Sequence, residues 1–342
     1  MIFIELVLKN KYKIQLLSEE ATLKESIDSI AYTLNLSLIE TEELKNIGLV
    51  KGDSIQLYDY MFNSNEYKKI FDGTIRDISG SKKNKKLSII CRERTVSIEE
   101  SEDEYLWSDG QTATQRAKVI CNDWNIPVGC FSETNIGLAK DLRKESLFGM
   151  MKKDLKETAQ KGGSLYKFRM SESLDLIELG SNSIVYKLDS IVNDIQPKSS
   201  LNGAVTQVKV LGKEETKKTK KTTNETKKSN SSEEKELILS PILGVFKKDT
   251  DKYGTIQKLT QDEKIDDYSK AKNKADTLFS SGEDSISVPC VKDVNTIRAG
   301  DKVSLYNTFY YVTDITHELG IVGKMDLTLM SWEGVKSKFY GE

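Results

Sequence analysis

Ile297-Arg-Ala-Gly-Asp-Lys-Val-Ser-Leu-Tyr306, followed by Phe309 to Glu318 and Lys324 to Trp332, is the stretch on which the reading of this chain turns. Gly300-Asp301 predicts a tight turn. Val303 and Leu305 alternate with polar residues, Tyr310, Val312 and Asp314-Ile315 make a second short run, and Met325, Leu327 and Leu329 alternate as a third. Alternation with a period of two marks a strand with one buried face, so this stretch predicts three antiparallel strands.

The pattern occurs once more, near the start. Leu49-Val-Lys-Gly-Asp-Ser-Ile-Gln-Leu-Tyr58 repeats the apolar residue, the turn at Gly52-Asp53, the alternating Ile55 and Leu57, and the Tyr that follows. Ile75-Arg-Asp-Ile78 then matches Val312-Thr-Asp-Ile315, and Leu87, Ile89 and Cys91 match Met325, Leu327 and Leu329, after a Lys in each case. A single Gly-Asp turn before a strand is commonplace. Four matched segments in one order imply one antiparallel β-barrel module used twice, with Gly52, Asp53, Gly300 and Asp301 as its equivalent structural turns.

A chain of 342 residues with 37% hydrophobic content can bury sizeable cores and predicts two or three domains. Its 51 basic and 53 acidic side chains balance, so no global field recruits DNA or an anionic membrane. The apolar opening Met1 to Leu8 is interrupted by Glu5 and ended by Lys9, which predicts a first strand rather than a signal peptide. No run reaches the ~18 apolar residues of a membrane helix, and a soluble chain made in the cytoplasm is expected. Cys91, Cys121, Cys130 and Cys290 lie far apart and His317 is the sole histidine, so buried free thiols are expected and neither a metal site nor a cofactor site is read.

In chain order, residues 1–98 form the first β-barrel module, with strands at Ile2 to Leu8 and Tyr12 to Leu17. Another strand carries Ala31, Leu34, Leu36 and Leu38, while Leu23 to Ile30 could form a helical turn. A hairpin tip lies at Lys82 to Lys86. The acidic run Glu99 to Glu104 predicts a boundary, because clustered like charges repel inside a packed element. Residues 99–188 then read as a small α+β domain. Thr112 and Gln115 make a capping box ahead of Ala113, Ala117, Ile120, Cys121 and Trp124. Leu147, Met151, Leu155 and Ala159 give a second helix, and Leu165 to Met170 and Leu174 to Leu179 form a hairpin.

Residues 189–342 read as the second β-barrel module, with Val205, Val208 and Val210 in its leading strand. Lys213 to Glu236 has no apolar residue and predicts a flexible charged loop at 213–236. Without interleaved aromatics or Arg it argues against nucleic acid as a specific ligand. Thr260 and Glu263 form a capping box for a helix over 262–280. Its face of Ile265, Tyr268, Ala271, Ala275, Leu278 and Phe279 is expected to pack on the barrel built from Ser285 to Trp332.

Taken together, Tyr253-Gly254, the helix with Ala271 and Ala275, Gly300-Asp-Lys-Val303, Tyr310-Tyr-Val312, Thr316-His317 and Met325-Asp-Leu-Thr-Leu329 resemble the XkdQ/YqbQ family of tail proteins. That family is found in PBSX-like defective prophages, contractile-tailed phages and R-type bacteriocins of Gram-positive bacteria. The resemblance implies two tail-tube-like barrels in a mainly β fold and the role of a structural baseplate hub, similar to that of the T-even phages. Three copies of a two-barrel chain would form a pseudo-sixfold homotrimeric ring. Its partners would be a tail tube protein, a central spike protein and other baseplate components, with assembly in the bacterial cytoplasm before release as part of an extracellular tail particle.

The alternative is a tail-associated peptidoglycan hydrolase or a wall-binding module. The sequence offers no Gly-x-Ser-x-Gly elbow, no phosphate-binding Gly-rich loop and no His-Glu-x-x-His, and His317 has no Ser or Cys motif beside it. No catalytic residue is therefore assigned, and a non-enzymatic role is expected.

Overall fold

The structure, a computed structural model, describes residues 4–81, 83–170, 172–213, 240–261, 265–320 and 322–341. The loop expected at 213–236 lies, from 214 onward, outside the described residues, as does Glu263. The chain divides into two compact units, one of residues up to 198 with 284–341 and the other of 199–283.

In the first unit, β1 (Glu5–Leu8), β2 (Tyr12–Lys13), β3 (Ser18–Ser26), β4 (Thr33–Ile39), the short helix α1 (Glu42–Ile47), β5 (Ser54–Tyr60), β6 (Tyr67–Ser81) and β7 (Lys86–Glu93) make the first β module. Alternation does what the sequence predicts: Leu34, Leu36 and Leu38 on β4, Ile55 and Leu57 on β5 and Ile89 and Cys91 on β7 point into one core. Each such Leu or Ile contributes ~1.5–3 kcal/mol on burial. Two expectations are corrected. Leu23 belongs to a strand rather than a helical turn, because Ala21, Leu23 and Glu25 alternate inward and β3 is paired on both sides. The strand expected through Leu17 stops at Lys13 and gives way to a single 3-10 turn at Gln15–Leu17.

Between the modules come α2 (Val96–Glu100), β8 (Glu102–Trp107), α3 (Ala113–Asp123), β9 (Val128–Phe131), β10 (Asp141–Ser146), α4 (Leu147–Gln160), β11 (Tyr166–Met170) and β12 (Leu174–Glu178). The Thr112–Gln115 capping box forms reciprocally, and the predicted faces of α3 and α4 are buried except for Trp124, which caps the end of α3 and is half-buried. The acidic run is not a loose boundary. Its parts enter α2 and β8, where Glu99 accepts hydrogen bonds from Ile30 N (2.9 Å) and Ala31 N (3.3 Å) and Glu104 pairs with Lys144 (3.1 Å). Opposite charges and orphan amides offset the like-charge repulsion that the run carries by itself. The helices α3 and α4 share one core with the second β module.

After β13 (Gln196–Ser200) the chain builds the second unit, so the module expected over 189–342 is interrupted. Here β14 (Gln207–Leu211) lies between β15 (Ile242–Lys247), which is antiparallel to it, and, after the one-turn helix α5 (Thr250–Tyr253), β16 (Gln257–Gln261), which is parallel. Helix α6 (Tyr268–Leu278) buries Ala271, Ala275 and Leu278 against Val208, Val210 and Phe246 of its own unit, where the sequence reading expected the strands from Ser285 to Trp332. Its cap also differs from the sequence reading: Thr260 is held in β16 opposite Val210, and Asp267 accepts Lys270 N at 2.8 Å. Tyr268 is exposed.

The chain returns through β17 (Glu283–Cys290), β18 (Lys302–Leu305), β19 (Thr308–Leu319) and β20 (Lys324–Met330) and closes with α7 (Trp332–Tyr340). These strands and those of the first module form one hydrogen-bonded path, β13-β17-β20-β19-β3-β4-β7-β6-β5-β1-β2, with β18 on β19.

Candidate assembly surfaces

The two predicted turns have the same geometry. Gly52 and Gly300 both adopt φ +92°, a backbone conformation that favours glycine. Around Gly52, Val50 N donates to Asp53 Oδ2 (2.9 Å), Asp53 N to Val50 O (3.3 Å), Gly52 N to Ile75 O (2.8 Å) and Ile75 N to Asp53 O (2.9 Å). Around Gly300, Arg298 N donates to Asp301 Oδ2 (2.9 Å), Asp301 N to Arg298 O (3.1 Å), Gly300 N to Val312 O (2.7 Å) and Val312 N to Asp301 O (2.9 Å). The aspartate is what the turn needs, since its carboxylate and carbonyl tie both ends of the loop.

The likeness extends into the sheet. The pairing of β6 with β7 slips between Ile75 and Asp77, and that of β19 with β20 slips between Val312 and Asp314. Beyond the slip Ile78 faces Ile89, as Ile315 faces Leu327. The pairing of β5 with β6 ends at Thr74 and that of β18 with β19 at Tyr311, so each long strand bends at its bulge and runs on beyond its preceding partner with one edge free. On β19 that edge is taken by β3, with Asp314 opposite Ser26, Ile315 opposite Glu25 and His317 opposite Leu23. This seam joins the two modules. On β6 no strand takes the corresponding edge among the described residues.

A buried ion cluster pins the seam. Glu25 Oε1 lies 2.9 Å from Lys167 Nζ, and Glu25 Oε2 accepts from Arg298 Nε (2.7 Å) and Ala299 N (3.0 Å). The Arg298 guanidinium also stacks 4.1 Å over the Tyr32 ring. Burial alone would raise the Glu25 carboxyl, but Arg298 and Lys167 outweigh it and hold the group well below the usual carboxylate range. Glu93, close by, accepts Tyr32 N at 2.9 Å, and burial pushes it up to about 8. The sequence reading missed these residues, because an isolated Glu in a strand gives no local sign of partners from distant segments.

His317 lies in β19 as expected and faces the core: its Nδ1 is 2.6 Å from Asp293 Oδ1 and its Nε2 3.1 Å from Ile297 O. A cavity of about 220 Å³ beside it is lined in part by Tyr32, Glu93, Arg298 and His317, members or neighbours of the same ion network. No nucleophilic Ser, Thr or Cys is among its hydrogen-bonded partners. Cys91, Cys121 and Cys290 are buried, with thiols pushed up to about 12 by burial, but Cys130 is exposed on β9, contrary to expectation, because that short strand pairs only along β12 and leaves its outer face open. Among the described residues no group of three or more His, Cys, Asp or Glu is placed to hold a metal ion, and no helix is long and apolar enough to cross a membrane.

The molecule is thus a mainly β protein built on a duplicated turn-and-bulge module, with an α+β segment that lies between the copies in sequence and shares the core of the second. The chain belongs to the YQBQ-like family, whose model matches residues 21–330. Its fold is similar to three solved structures: the 43 kDa tail protein of prophage MuSo2 from Shewanella oneidensis (TM-score 0.64, 10% identity, 97% of this chain and 99% of that one), the tail protein from Neisseria meningitidis MC58 (0.63, 13%, 99% and 99%) and the prophage tail protein gp18 from Listeria monocytogenes EGD-e (0.53, 10%, 95% and 94%). None of the curated proteins matches it.

Proposed function

We propose that this chain is the structural hub of a contractile tail or bacteriocin baseplate, three copies forming a pseudo-sixfold ring that joins a sixfold tail tube to a threefold spike. The observation that carries the reading is the duplication: two modules with one turn geometry and one bulge position, joined edge to edge by β3 and β19. A chain that already places two like modules side by side presents six similar surfaces when three copies close on themselves, and still repeats threefold. Fold similarity to proteins described as phage or prophage tail components supports the same role. The tube protein, the spike and the remaining baseplate components are the partners this implies.

Among the described residues histidine-dependent wall hydrolysis finds no support, since the one histidine is held between Asp293 and a backbone carbonyl. Quantitative mass spectrometry of purified particles tests the reading through copy number. Three copies of this chain per particle, equal to the copy number of the threefold spike chain, support it; six copies, twice that of the spike chain, contradict it.

A further inference from the structure

The seam between β3 and β19 uses one strand edge from each module, and each module also carries the counterpart of the edge it did not use. On β6, Asp77 pairs with Ile90 and Ile78 with Ile89, as Asp314 pairs with Thr328 and Ile315 with Leu327 on β19. Residues 76–80 therefore correspond to 313–317. Their exposure records the missing cover: Asp77, Ser79 and Gly80 are exposed and Arg76 and Ile78 half-buried, whereas Thr313, Ile315 and His317 are buried and Asp314 and Thr316 half-buried.

The counterpart of β3 is β13. Leu34 on β4 faces Cys91, and Ile286 on β17 faces Leu329, so β4 and β17 are equivalent. Leu23 of β3 lies opposite Leu34. Val192 bridges Cys290 antiparallel, a register that carried forward places Gln196 opposite Ile286 and makes Gln196 the equivalent of Leu23. The bond from Asn193 N to Pro289 O (2.9 Å) turns the odd-numbered residues here toward β17, so the backbone groups of Gln196 and Lys198 face outward. Pro197 lacks only an N–H that would have pointed inward, and the outer edge loses no donor. Gln196, Pro197 and Lys198 are all exposed, while Leu23 and Glu25, their paired equivalents, are buried.

We infer that the edge at Asp194 to Lys198 of one copy pairs antiparallel with the Arg76 to Gly80 edge of β6 in a second copy, repeating between chains the contact that β3 and β19 make within one. The register follows from the internal seam: Ile78 opposite Lys198, Ser79 opposite Pro197 and Gly80 opposite Gln196. The contact is head-to-tail, so each copy offers a donor edge and an acceptor edge. Alternating internal and external seams close into a ring, and two bare strand edges, each a liability for uncontrolled association, are covered. The inference rests on the ring proposed above and names the strands that close it.

The test is a disulfide between Ser79→Cys and Pro197→Cys in a full-length chain also carrying Cys130→Ser, which removes the exposed thiol. Ser79 and Pro197 fall at a non-hydrogen-bonded pair, where the ~4.5 Å Cα separation suits a disulfide. In the assembled particle, mild oxidation of the double variant is expected to give a covalent trimer on non-reducing gels. Neither single variant should cross-link. A second variant, Ile78→Pro, removes one outward N–H from the β6 edge and is expected to abolish trimer formation while the free chain still unfolds cooperatively, at a midpoint lowered by the lost packing of Ile78 on the module core. A threefold ring that does not cross-link, or single variants that cross-link with themselves, overturns this pairing and leaves the ring standing. Failure of the wild-type chain to form a threefold ring in the particle overturns both.

Discussion

Glu25 Oε1 and Lys167 Nζ lie 2.9 Å apart, with side chains 2% and 1% exposed, and Arg298 closes on the same carboxylate from the other side at 2.7 Å. One acid thus holds β3 of the first module, β11 of the intervening segment and the turn of the second module. A buried charge cluster of this kind adds little net stability when complete, because desolvation offsets the Coulombic gain. It is costly to break.

Glu25→Ala strands two cations in the core and is expected to destabilise the chain by ~3–5 kcal/mol in denaturant unfolding at neutral pH. The depressed carboxyl is ionised in the folded state far below its ordinary 4.5. Its contribution is therefore present above pH ~4.5 and is lost as pH falls below that through the folded value. A wild-type loss of stability beginning already between pH 7 and 6 and absent from Glu25→Ala would contradict this.

Glu93 behaves in the opposite sense. Burial raises it to about 8, so between its ordinary 4.5 and 8 the folded chain holds a proton that the unfolded chain releases. Stability from this group is complete below pH ~4.5 and falls as pH rises toward 8. Glu93→Gln still accepts Tyr32 N and removes the titration. The variant is expected to be more stable than wild type at pH 8 by on the order of a few kcal/mol, with the gap narrowing at pH 5. A gap that does not change with pH would refute it.

The module was legible because its signals are local. Gly-Asp turns, period-two alternation and the matched Ile75 to Ile78 and Val312 to Ile315 runs each lie within a few residues. The Thr112 capping box was legible for the same reason. The seam was not: Glu25 reads as one more polar residue between Leu23 and Ile27 until β11 and the second turn bring Lys167 and Arg298 to it. The inserted unit was hidden because β14, β15 and β16 are five or six residues each. Thr260, a good cap residue, was claimed by parallel pairing with β14.

Equivalent turns need not tolerate change equally. A Cβ on Gly52 meets nothing within 4 Å, whereas one on Gly300 meets Leu179 Cδ2 at 2.9 Å and Lys167 Cδ at 3.4 Å. Gly52→Ala is expected to cost the backbone term alone, ~1–2 kcal/mol. Gly300→Ala adds overpacking of ~1–3 kcal/mol. Paired unfolding curves measure the difference; equal losses would mean that the turns, not their surroundings, set the cost.

The symmetry of the layer that contains this chain, read from an image reconstruction of the intact particle, tests the hub assignment most directly. The account predicts three copies on the tail axis, their six β modules arranged with near-sixfold symmetry between tube and spike. Six copies in the layer, or a position off the axis, would contradict it.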